Sequence, residues 1–585
     1  MHVGQLRTNV ARPTAERPPA ASPAARPPSP RAAALAPVVP LSAKVLAFVD
    51  AHRAAILLGV VALYVAGFNG QWRPEPDSAL YLSIGRSLAE GRGYAYHDQP
   101  NHLAYPGLPW LWAGVFAAFG DTPRALVVAH GVILLMGLGC LALCYRLFLL
   151  HAARPTAVLM VVGLATSRMF YRYCFELRSD VPFLLGVLAF LAGYEAVFYQ
   201  NARAAGDAAR DGGAPRRGAR WYDYALLVAG LAVAVVMRPT MWALLLAAAA
   251  ATGAMLVRGR VKWGVAGLLV VVLAGALFYK LDPRAAARPG AASGGGAAAA
   301  KVGEYEQGLL DAAEDVPQFA RKVFTENLPA LLDPAAGEAM FGLDFGARLV
   351  EGVSLNTLGS LVAIGLGLTL FRHRLLWGLF YVVTVLMMLA VLPLDRYFLA
   401  VLPLTVYAWW RALVWLESRA PAWRWAPVAA VVLFGVGATC NFARICEWGF
   451  EQHRHPFLAR YKGGRFDAAP RFGRDVAAAT APHGWVLGPR KLGRILTFYT
   501  HRNVVEPGDV PEAAGRALAD ARQPLYVINP ADDGVARWLR STGLAPGPAI
   551  VSVTGRGGTW ALHPLDRAAS PVVTPTAAPA APTAP

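Results

Sequence analysis

Stretches of about twenty apolar residues recur along this chain, and they constrain its fold more than any other feature. As an α-helix, a stretch of that length crosses a hydrocarbon core of roughly 30 Å. Apolar residues make up 56% of the 585 residues and charged residues only 16%, a composition too apolar for a soluble protein of this size. The sequence therefore predicts a polytopic membrane protein whose core is a helix bundle packed against lipid.

Eleven stretches have the length and hydropathy of membrane-spanning helices. Their approximate ranges are 48–68, 125–149, 155–173, 181–199, 222–237, 240–257, 263–280, 353–371, 375–393, 397–415 and 426–443. A further apolar segment from Leu108 to Phe119 has only about a dozen residues, which is typical of an interfacial or re-entrant helix. We predict an all-α membrane bundle with about eleven spans, and thirteen as the upper limit.

The charge of the links between spans indicates the orientation of the bundle. If the N-terminus is cytoplasmic, the inner links are 146–154, 200–221, 258–262, 372–374 and 411–425, and each contains arginine or lysine. This is the distribution that the positive-inside rule requires. The same rule accounts for the net charge of +18, so the basic composition does not indicate a nucleic-acid partner. An odd number of spans places the region after the last span outside.

The segments outside the spans divide the chain further. Residues 1–43 are rich in Pro, Ala and Arg and contain no early apolar run, which predicts a disordered cytoplasmic arm rather than a signal peptide. The membrane domain is predicted to cover 44–445, with long outer loops at 69–124 and 281–352. Long ordered loops on one side of a bundle are typical of functional segments.

After the last span the pattern changes to that of a small α/β domain, predicted at 455–566. Four runs are β-like: Trp485–Gly488, Ile495–Tyr499, Leu525–Ile528 and Ile550–Val553. Three stretches are helix-like, near 467–481, 511–521 and 532–541. The odd span count makes this domain extracytoplasmic. Residues 567–585 are rich in Pro, Ala and Thr, which predicts a disordered tail.

Two carboxylates at helix starts are the acidic candidates for chemistry. Asp77 precedes a segment whose apolar residues share one face at helical spacing, namely Leu80, Tyr81, Ile84 and Leu88. Asp180 precedes the span at 181–199, with Ser179 as an alternative cap. A carboxylate at such a position is either an N-cap or a rigidly held catalytic group, and both interpretations stay open. The predicted topology places the two acids on the same face of the membrane.

Two arginines lie at outer turns, where the positive-inside rule disfavours positive charge. They are Arg238, which follows Met237, and Arg396, which precedes Tyr397. Arg396 could simply pair with Asp395, and either side chain could extend along the membrane interface. The alternative is that the two guanidinium groups bind a phosphate at the membrane surface.

Several segments, taken in order, resemble a known family. They are Asp77-Ser78 followed by Tyr81, the run Arg86-Ser87-Leu88-Ala89-Glu90-Gly91-Arg92-Gly93-Tyr94, the turn Tyr105-Pro106-Gly107-Leu108-Pro109, the segment from Asp395 to Pro403, and Phe498-Tyr499-Thr500-His501-Arg502. This set is similar to that of GT-C fold glycosyltransferases, in the bacterial branch of protein O-mannosyltransferase-like and aminoarabinose-transferase-like enzymes. The resemblance covers about residues 45–565.

The resemblance implies that a sugar is transferred, with inversion, from a polyprenyl-phosphate carrier to an acceptor on the outer face of the bacterial inner membrane. The site residues it implies are Asp77 as base, Asp180 as a second acid, Arg238 and Arg396 at the lipid phosphate, and Tyr81 and Tyr397 as further substrate contacts. Many members of the family have Asp-Glu where this chain has Asp77-Ser78, so a divalent metal ion as cofactor stays open.

Two other function classes remain as alternatives. A transporter or flippase of lipid-linked sugars is the first, although such proteins tend to have internal repeats and broken helices at the midplane. Here the charged residues cluster at one interface instead. A non-catalytic membrane scaffold is the second, but it gives no reason for the acidic and basic residues at the outer corners.

The topology can be tested with a reporter enzyme that is active only in the cytoplasm. Fused after Leu565, the reporter should be silent, because the basic inner links place this region outside. A fusion after residue 260, in a predicted inner link, is the matched positive control. Activity of the fusion after Leu565 would reverse the orientation.

Overall fold

The computed structural model describes most of the chain. The described residues are 41–97, 99–101, 104–200, 219–257, 261–281, 315–332, 348–350, 353–390, 395–419, 425–454, 468–480, 485–489, 492–505, 525–529, 533–542, 544–555 and 558–567. The arm before residue 41, the tail after residue 567, most of the loop at 281–352 and the predicted helix at 511–521 therefore lie outside the described residues.

Helices dominate the part of the chain before residue 455. They are α1 (Leu41–Gly67), α2 (Pro76–Ala89), α3 (Gly107–Phe119), α4 (Pro123–Leu149), α5 (Arg154–Ala165), α6 (Arg168–Tyr173), α7 (Asp180–Tyr194), α8 (Trp221–Met237), α9 (Met241–Val257), α10 (Val261–Leu281), α11 (Val316–Lys322), α12 (Leu328–Leu331), α13 (Leu355–Thr369), α14 (Leu375–Ala390), α15 (Leu402–Arg419) and α16 (Trp425–Arg454). Two π-helical turns, Glu195–Gln200 and Val323–Asn327, and two 3₁₀ turns, Leu370–Arg372 and Asp395–Ala400, extend or link them. Two short hairpins pair β1 (Ala95–Tyr96) with β2 (Gln99–Pro100) and β3 (Arg348–Val350) with β4 (Val353–Ser354).

Each of the eleven predicted spans coincides with helical structure. Among the described residues, three helices are long and apolar enough to cross a membrane: Lys44–Gly67, Pro123–Leu149 and Asp180–Phe198. Shorter apolar helices follow most of the other predicted spans. Helix α15 is 18 residues long and includes charged residues, and α16 is 30 residues long. The count of eleven spans therefore stays a prediction, whereas the mostly helical, apolar architecture is confirmed.

Some predicted spans are not continuous α-helices, and one of them, 397–415, begins in the 3₁₀ turn before α15. The range 155–173 is divided into α5 and α6, which are separated by Thr166 and Ser167. The Thr166 hydroxyl donates a hydrogen bond to the Val162 carbonyl (2.9 Å), and Ser167 has the extended backbone of an N-cap. Short hydroxyl side chains compete in this way with the helical hydrogen bonds of the backbone. The prediction of one straight helix was wrong here.

Helix α7 is the central element of the bundle, since nearly all of its residues are buried. It packs closely on α8 through glycines on both helices. A Cβ atom added at Gly186 would lie 2.7 Å from the Ala234 backbone nitrogen, and one added at Gly230 would lie 2.3 Å from the Phe190 backbone nitrogen. Small residues permit this backbone contact, which is a common way to join helices within a membrane. The contact fixes the ends of both helices, where Asp180 and Arg238 lie.

The C-terminal region forms the small α/β domain that the sequence predicts. Its strands are β5 (Trp485–Leu487), β6 (Asn503–Val505), β7 (Leu525–Ile528), β8 (Leu544–Pro546), β9 (Val551–Gly555) and β10 (Gly558–Arg567), and its helices are α17 (Ala469–Ala479), α18 (Gly493–Thr500) and α19 (Asp533–Thr542). The sheet has the order β6-β5-β7-β10-β8, with β9 paired to β10. Strands β6, β5 and β7 are parallel, and β10 is antiparallel to its neighbours.

The predicted strand at Ile495–Tyr499 is instead the helix α18. Its Ile495, Leu496 and Phe498 side chains are all buried, because the helix packs between the first outer loop and the rest of the domain. In a short apolar run that is buried on several sides, neither a period of 2 nor one of 3.6 stands out. The other three predicted strands are confirmed in position to within one or two residues.

The contact between α7 and α8 predicts a specific stability effect. Gly230→Ala should destabilise the protein by roughly 1–3 kcal/mol, because the new Cβ meets backbone atoms that cannot move aside. Gly253→Ala, in α9, is the matched control: nothing lies within 4 Å of its Cβ position, and alanine stabilises a helix by about 1 kcal/mol relative to glycine. Thermal unfolding in detergent should show a lower Tm only for Gly230→Ala, and equal Tm values for both variants would contradict the close packing.

Candidate active site

Asp77 lies in the first turn of the outer-loop helix α2. The helix begins at Pro76, and its N-cap is Glu75, whose backbone is extended (φ −123°, ψ 146°). Proline suits the first helical position because its φ is already helical and that position needs no N–H donor. The interpretation of Asp77 as the N-cap is therefore wrong. Its carboxylate is held by the helix but is not needed to cap it.

The Ser78 side chain fixes the start of this helix. Its hydroxyl accepts hydrogen bonds from the Trp72 indole N–H (3.1 Å) and the Glu75 backbone N–H (3.2 Å), and it donates to the Glu75 carbonyl (2.8 Å). Ser78 is 1% exposed. It therefore has a structural role in the position where the resembling family often has a glutamate.

The carboxylate of Asp77 is paired with two arginines from distant parts of the chain. Arg396, in the 3₁₀ turn before α15, donates a hydrogen bond to one oxygen, and Arg494 Nη1, in α18, lies 3.3 Å from the other. Burial opposes ionisation, but the charges of Arg396, Arg178 and Arg494 outweigh it and lower the pKa of Asp77 to about 2. Asp77 is thus ionised at neutral pH.

A second acid–base pair lies beside the first. Asp180, at the first position of α7, accepts a hydrogen bond from Arg238, which follows the last residue of α8. Both side chains are almost fully buried, at 2% and 7% exposure. Ser179 is the N-cap of α7 but makes no capping hydrogen bond through its side chain. Pairing with Arg238 gives Asp180 a partner that capping alone would not provide.

The Tyr397 ring lies against both arginines of these pairs. The Arg238 guanidinium is 4.4 Å from the ring centre and that of Arg396 is 5.2 Å from it. Arg396 Nη2 also donates to the Tyr397 hydroxyl at 3.3 Å. A cation over an aromatic face is favourable, most of all where water is excluded. Tyr397 therefore holds the two guanidinium groups near each other.

Tyr81 lies within the same cluster of charges. Burial raises the pKa of the Tyr81 phenol, and the negative charge of Asp77 raises it further, while a hydrogen bond with Ser179 and the charges of Arg238 and Arg396 act in the opposite direction. The phenol is therefore neutral at physiological pH and can donate or accept a hydrogen bond. The structure thus brings together all six residues that the sequence singled out: Asp77, Tyr81, Asp180, Arg238, Arg396 and Tyr397.

A chain of ion pairs connects the start of α2 to the segment 172–178, which precedes α7. Glu75 pairs with Arg178 (2.9 Å), Arg178 with Glu176 (3.3 Å), and Glu176 with Arg172 (2.7 Å). Burial raises the pKa of Glu176, but the neighbouring charges of Arg178, Arg172 and Arg73 lower it by more, so the carboxyl group is ionised. These pairs position the loop that ends at Asp180 relative to the helix that carries Asp77.

The C-terminal domain covers this site through α18. Arg86 of α2 donates to the Phe498 carbonyl (3.0 Å), and its guanidinium lies 4.2 Å from the centre of the Phe498 ring. Arg86 also pairs with Asp121 at 2.9 Å. His97, which follows α2 in the chain, adds a further contact: its Nε2 is 2.9 Å from the Thr497 hydroxyl. These contacts join the outer loop to the domain and bring Arg494 to Asp77.

Arg494 is the site residue that sequence reasoning missed. It lies 417 residues after its partner Asp77 and immediately before the predicted strand Ile495–Tyr499. Because this segment is instead the helix α18, Arg494 contacts Asp77, and the predicted strand did not indicate this contact. The nearby Phe498-Tyr499-Thr500-His501-Arg502 segment, which resembles a family motif, was the available signal that this region belongs to the site.

A divalent metal ion requires converging, uncommitted acidic or imidazole ligands. Within the described part of the chain, no group of three or more His, Cys, Asp or Glu side chains is placed to hold one. In this arrangement both carboxylates, those of Asp77 and Asp180, are engaged by arginine, and Ser78 is used by the loop. No step below depends on a metal.

Comparison with known proteins supports the fold. No family model and no curated sequence matches the chain. The crystal structure of ArnT from Cupriavidus metallidurans bound to undecaprenyl phosphate is similar to it, with TM-score 0.51 and 13% sequence identity over 87% of this chain and 97% of that chain. The apo state of the same protein gives TM-score 0.48 and 13% identity over 88% and 98% of the two chains.

At this level of identity the likeness concerns the fold, and it covers most of both chains. It agrees with the order of family-like motifs in the sequence, from the first outer loop to α18. The chain therefore has a fold similar to that of ArnT, in agreement with the GT-C fold that the resemblance in the sequence predicts.

Proposed function

We propose that this protein is a membrane glycosyltransferase that moves a sugar from a polyprenyl-phosphate carrier to an acceptor on the extracytoplasmic face of a bacterial inner membrane. The observation that carries the proposal is the pairing of Asp77 with Arg396 beside the Asp180–Arg238 pair. One base and two guanidinium groups at a membrane surface are the groups that displacement of a lipid phosphate needs. The GT-C fold adds support.

The donor phosphate would bind between Arg238 and Arg396. The two guanidinium groups lie against the same Tyr397 ring, and arginine binds phosphate through parallel N–H donors. Both lie next to helix or turn ends on the outer side of the bundle in the predicted topology. A lipid carrier can reach that level with its chain still in the bilayer. The solved ArnT complex contains undecaprenyl phosphate, which is a ligand of the expected class.

The chemistry then needs one proton acceptor. The acceptor hydroxyl attacks the anomeric carbon, the new C–O bond forms as the bond to the phosphate oxygen breaks, and the hydroxyl proton passes to Asp77. The polyprenyl phosphate leaves with the bonding electron pair, and its charge is stabilised by Arg238 and Arg396. Attack on the face opposite the leaving group inverts the anomeric configuration. Tyr81, neutral and close to Asp77, would orient the acceptor or the sugar.

Binding of the donor would also change Asp77 itself. In the structure, Arg396 contributes to holding the pKa of Asp77 near 2, and a carboxylate of such low pKa is a weak base. A phosphate competes with the carboxylate for the same guanidinium. As Arg396 turns to the phosphate, the pKa of Asp77 rises, and the base becomes stronger when the substrate is in place.

Asp77→Asn tests the base most directly. Asparagine keeps the size of the side chain, and Asp77 is not the cap of α2, so the variant should fold. It should lose a factor on the order of 10²–10⁴ in sugar transfer, because the proton acceptor is gone. The assay is transfer from a synthetic polyprenyl-phosphate sugar, measured with purified protein. Glu90→Gln, at the exposed C-terminal end of the same helix, is the matched control and should keep its activity.

Near-normal transfer by a well-folded Asp77→Asn protein would exclude Asp77 as the base. Asp180 would then be the next candidate, although its pairing with Arg238 in a buried position favours a structural role.

Arg396→Gln should affect both donor binding and the pH dependence of transfer. In the wild-type protein, kcat/KM should show no acid limb from Asp77 between pH 4 and 9, because the pKa of the free enzyme's carboxyl group is about 2. Removing the positive charge raises this pKa toward its ordinary value of 3.8. The variant should therefore lose activity as the pH falls toward 4, and its KM for the donor should increase.

Arg537→Gln, which removes an exposed arginine from α19, is the control for loss of one positive charge in the protein. An Arg396→Gln variant with the wild-type pH profile and donor KM would show that Arg396 neither binds the donor nor tunes Asp77.

A further inference from the structure

A polar cavity lies at the end of the bundle that is opposite to Asp77. It has a volume of about 480 Å³, and its polar lining consists of His151, His373, Arg374, Tyr407 and Arg411. These residues come from three of the predicted inner links or their edges, at 146–154, 372–374 and 411–425. None of them belongs to the proposed active site, and the inference drawn from them does not depend on it.

The cavity is far from the active site along the bundle. Glu195 is the ion-pair partner of the cavity residue Arg374. It follows Asp180 by fifteen residues, in α7 and its π-helical extension. At 1.5 Å per residue this corresponds to a separation of about 22 Å along the helix axis. The two sites therefore meet opposite surfaces of the membrane.

Positive charge at this cavity exceeds negative charge. Arg374 Nε is paired with Glu195 at 2.9 Å, so that pair is neutral. Arg411 contacts His373 Nδ1 through Nη2 at 3.4 Å, and no carboxylate lies within ion-pair distance of it among the described residues. Burial lowers the pKa of His373, and the charges of Arg411, Arg374 and Arg372 lower it further. The imidazole is neutral, and Arg411 remains an uncompensated cation.

Buried nitrogen atoms at this end of the bundle lack hydrogen-bond partners among the described residues, and His151 Nε2 in the cavity lining is one of them. Arg411 Nε is buried and has no hydrogen-bond partner in the described part of the protein, and the same is true of the Trp377 indole nitrogen. Trp377 is fully buried, and its ring contacts those of His151 and Tyr407 edge-on, each at 5.0 Å between centres. Buried donors without acceptors are costly, which indicates that an acceptor-rich group belongs here. Trp377 and Glu195, whose Oε1 is an unmatched acceptor, lie next to the cavity but do not line it, whereas Arg411 does.

We propose that this cavity binds a phosphate group at the cytoplasmic surface, with Arg411 as its principal contact. Phosphate oxygens only accept hydrogen bonds when ionised, and their negative charge compensates that of Arg411. The group can belong to an anionic lipid headgroup or to a soluble phosphate. A lipid is compatible with the apolar part of the lining, since Leu149 is 37% exposed and its neighbour Leu150 also borders the cavity.

The test measures thermal unfolding of the full-length protein in a neutral detergent. One series adds phosphatidylglycerol to the micelles, with diacylglycerol as the control that lacks the phosphate. A second series adds inorganic phosphate, with chloride at equal ionic strength. The variants are Arg411→Gln and Arg411→Lys, and Arg372→Gln is the matched control, because Arg372 is an exposed arginine of the same inner turn that does not line the cavity.

We expect phosphate-bearing probes to raise the Tm of the wild-type protein and of Arg372→Gln. Arg411→Gln should need roughly ten to a hundred times more of the same probe, the loss typical of a charge-assisted hydrogen bond. Arg411→Lys keeps the charge but loses the planar guanidinium group with its paired N–H donors, so it should also bind the probe more weakly. If Arg411→Gln does not fold, the response of Arg411→Lys tests the proposal.

Stabilisation by phosphatidylglycerol alone identifies a lipid headgroup as the ligand, and stabilisation by inorganic phosphate identifies a soluble one. If neither probe stabilises the wild-type protein, or if the Arg411 variants respond as the wild type does, the cluster only joins helix ends and the proposal is wrong.

Discussion

The ion pair between Asp77 and Arg396 holds together the end of the bundle that carries the candidate site. It connects the first outer-loop helix to the turn before α15, across 319 residues of sequence. The Asp77 side chain is 28% exposed and that of Arg396 18% exposed, so the pair is partly open to solvent. The pair keeps the Asp77 carboxylate ionised. It also holds this carboxylate next to the Arg396 guanidinium group, to which a phosphate could bind in its place. The same contact thus stabilises the resting structure and is the one that a phosphate donor would have to break.

The C-terminal domain is part of this site and not a separate appendage. Its helix α18 supplies Arg494 to Asp77, and Arg86 of the outer-loop helix is bonded to the carbonyl of Phe498. Any movement of the domain would therefore move a charge at the carboxylate. This arrangement makes the electrostatics of the candidate site depend on the position of the domain.

Much of this architecture could be predicted from the sequence, for reasons that differ between residues. Long apolar runs predicted the helices, and charges at helix ends predicted that Asp77 and Arg396 would lie on one face. The partners could not be predicted in this way, because tertiary packing selects them: nothing near Asp77 in sequence indicates Arg494. Hydrophobic patterning also failed where a short run is buried on several sides, as at Ile495–Tyr499, and where Thr166 interrupts a helix through its hydroxyl.

The central claim is that a lipid-linked phosphate replaces Asp77 as the partner of Arg396. A structure of the protein with a bound polyprenyl phosphate, determined by electron cryo-microscopy in a lipid nanodisc, tests it most directly. The account predicts phosphate density between the guanidinium groups of Arg396 and Arg238, with the contact between Arg396 and Asp77 broken and Asp77 open toward the outer surface. Phosphate density elsewhere, with the Asp77–Arg396 pair intact, would contradict it.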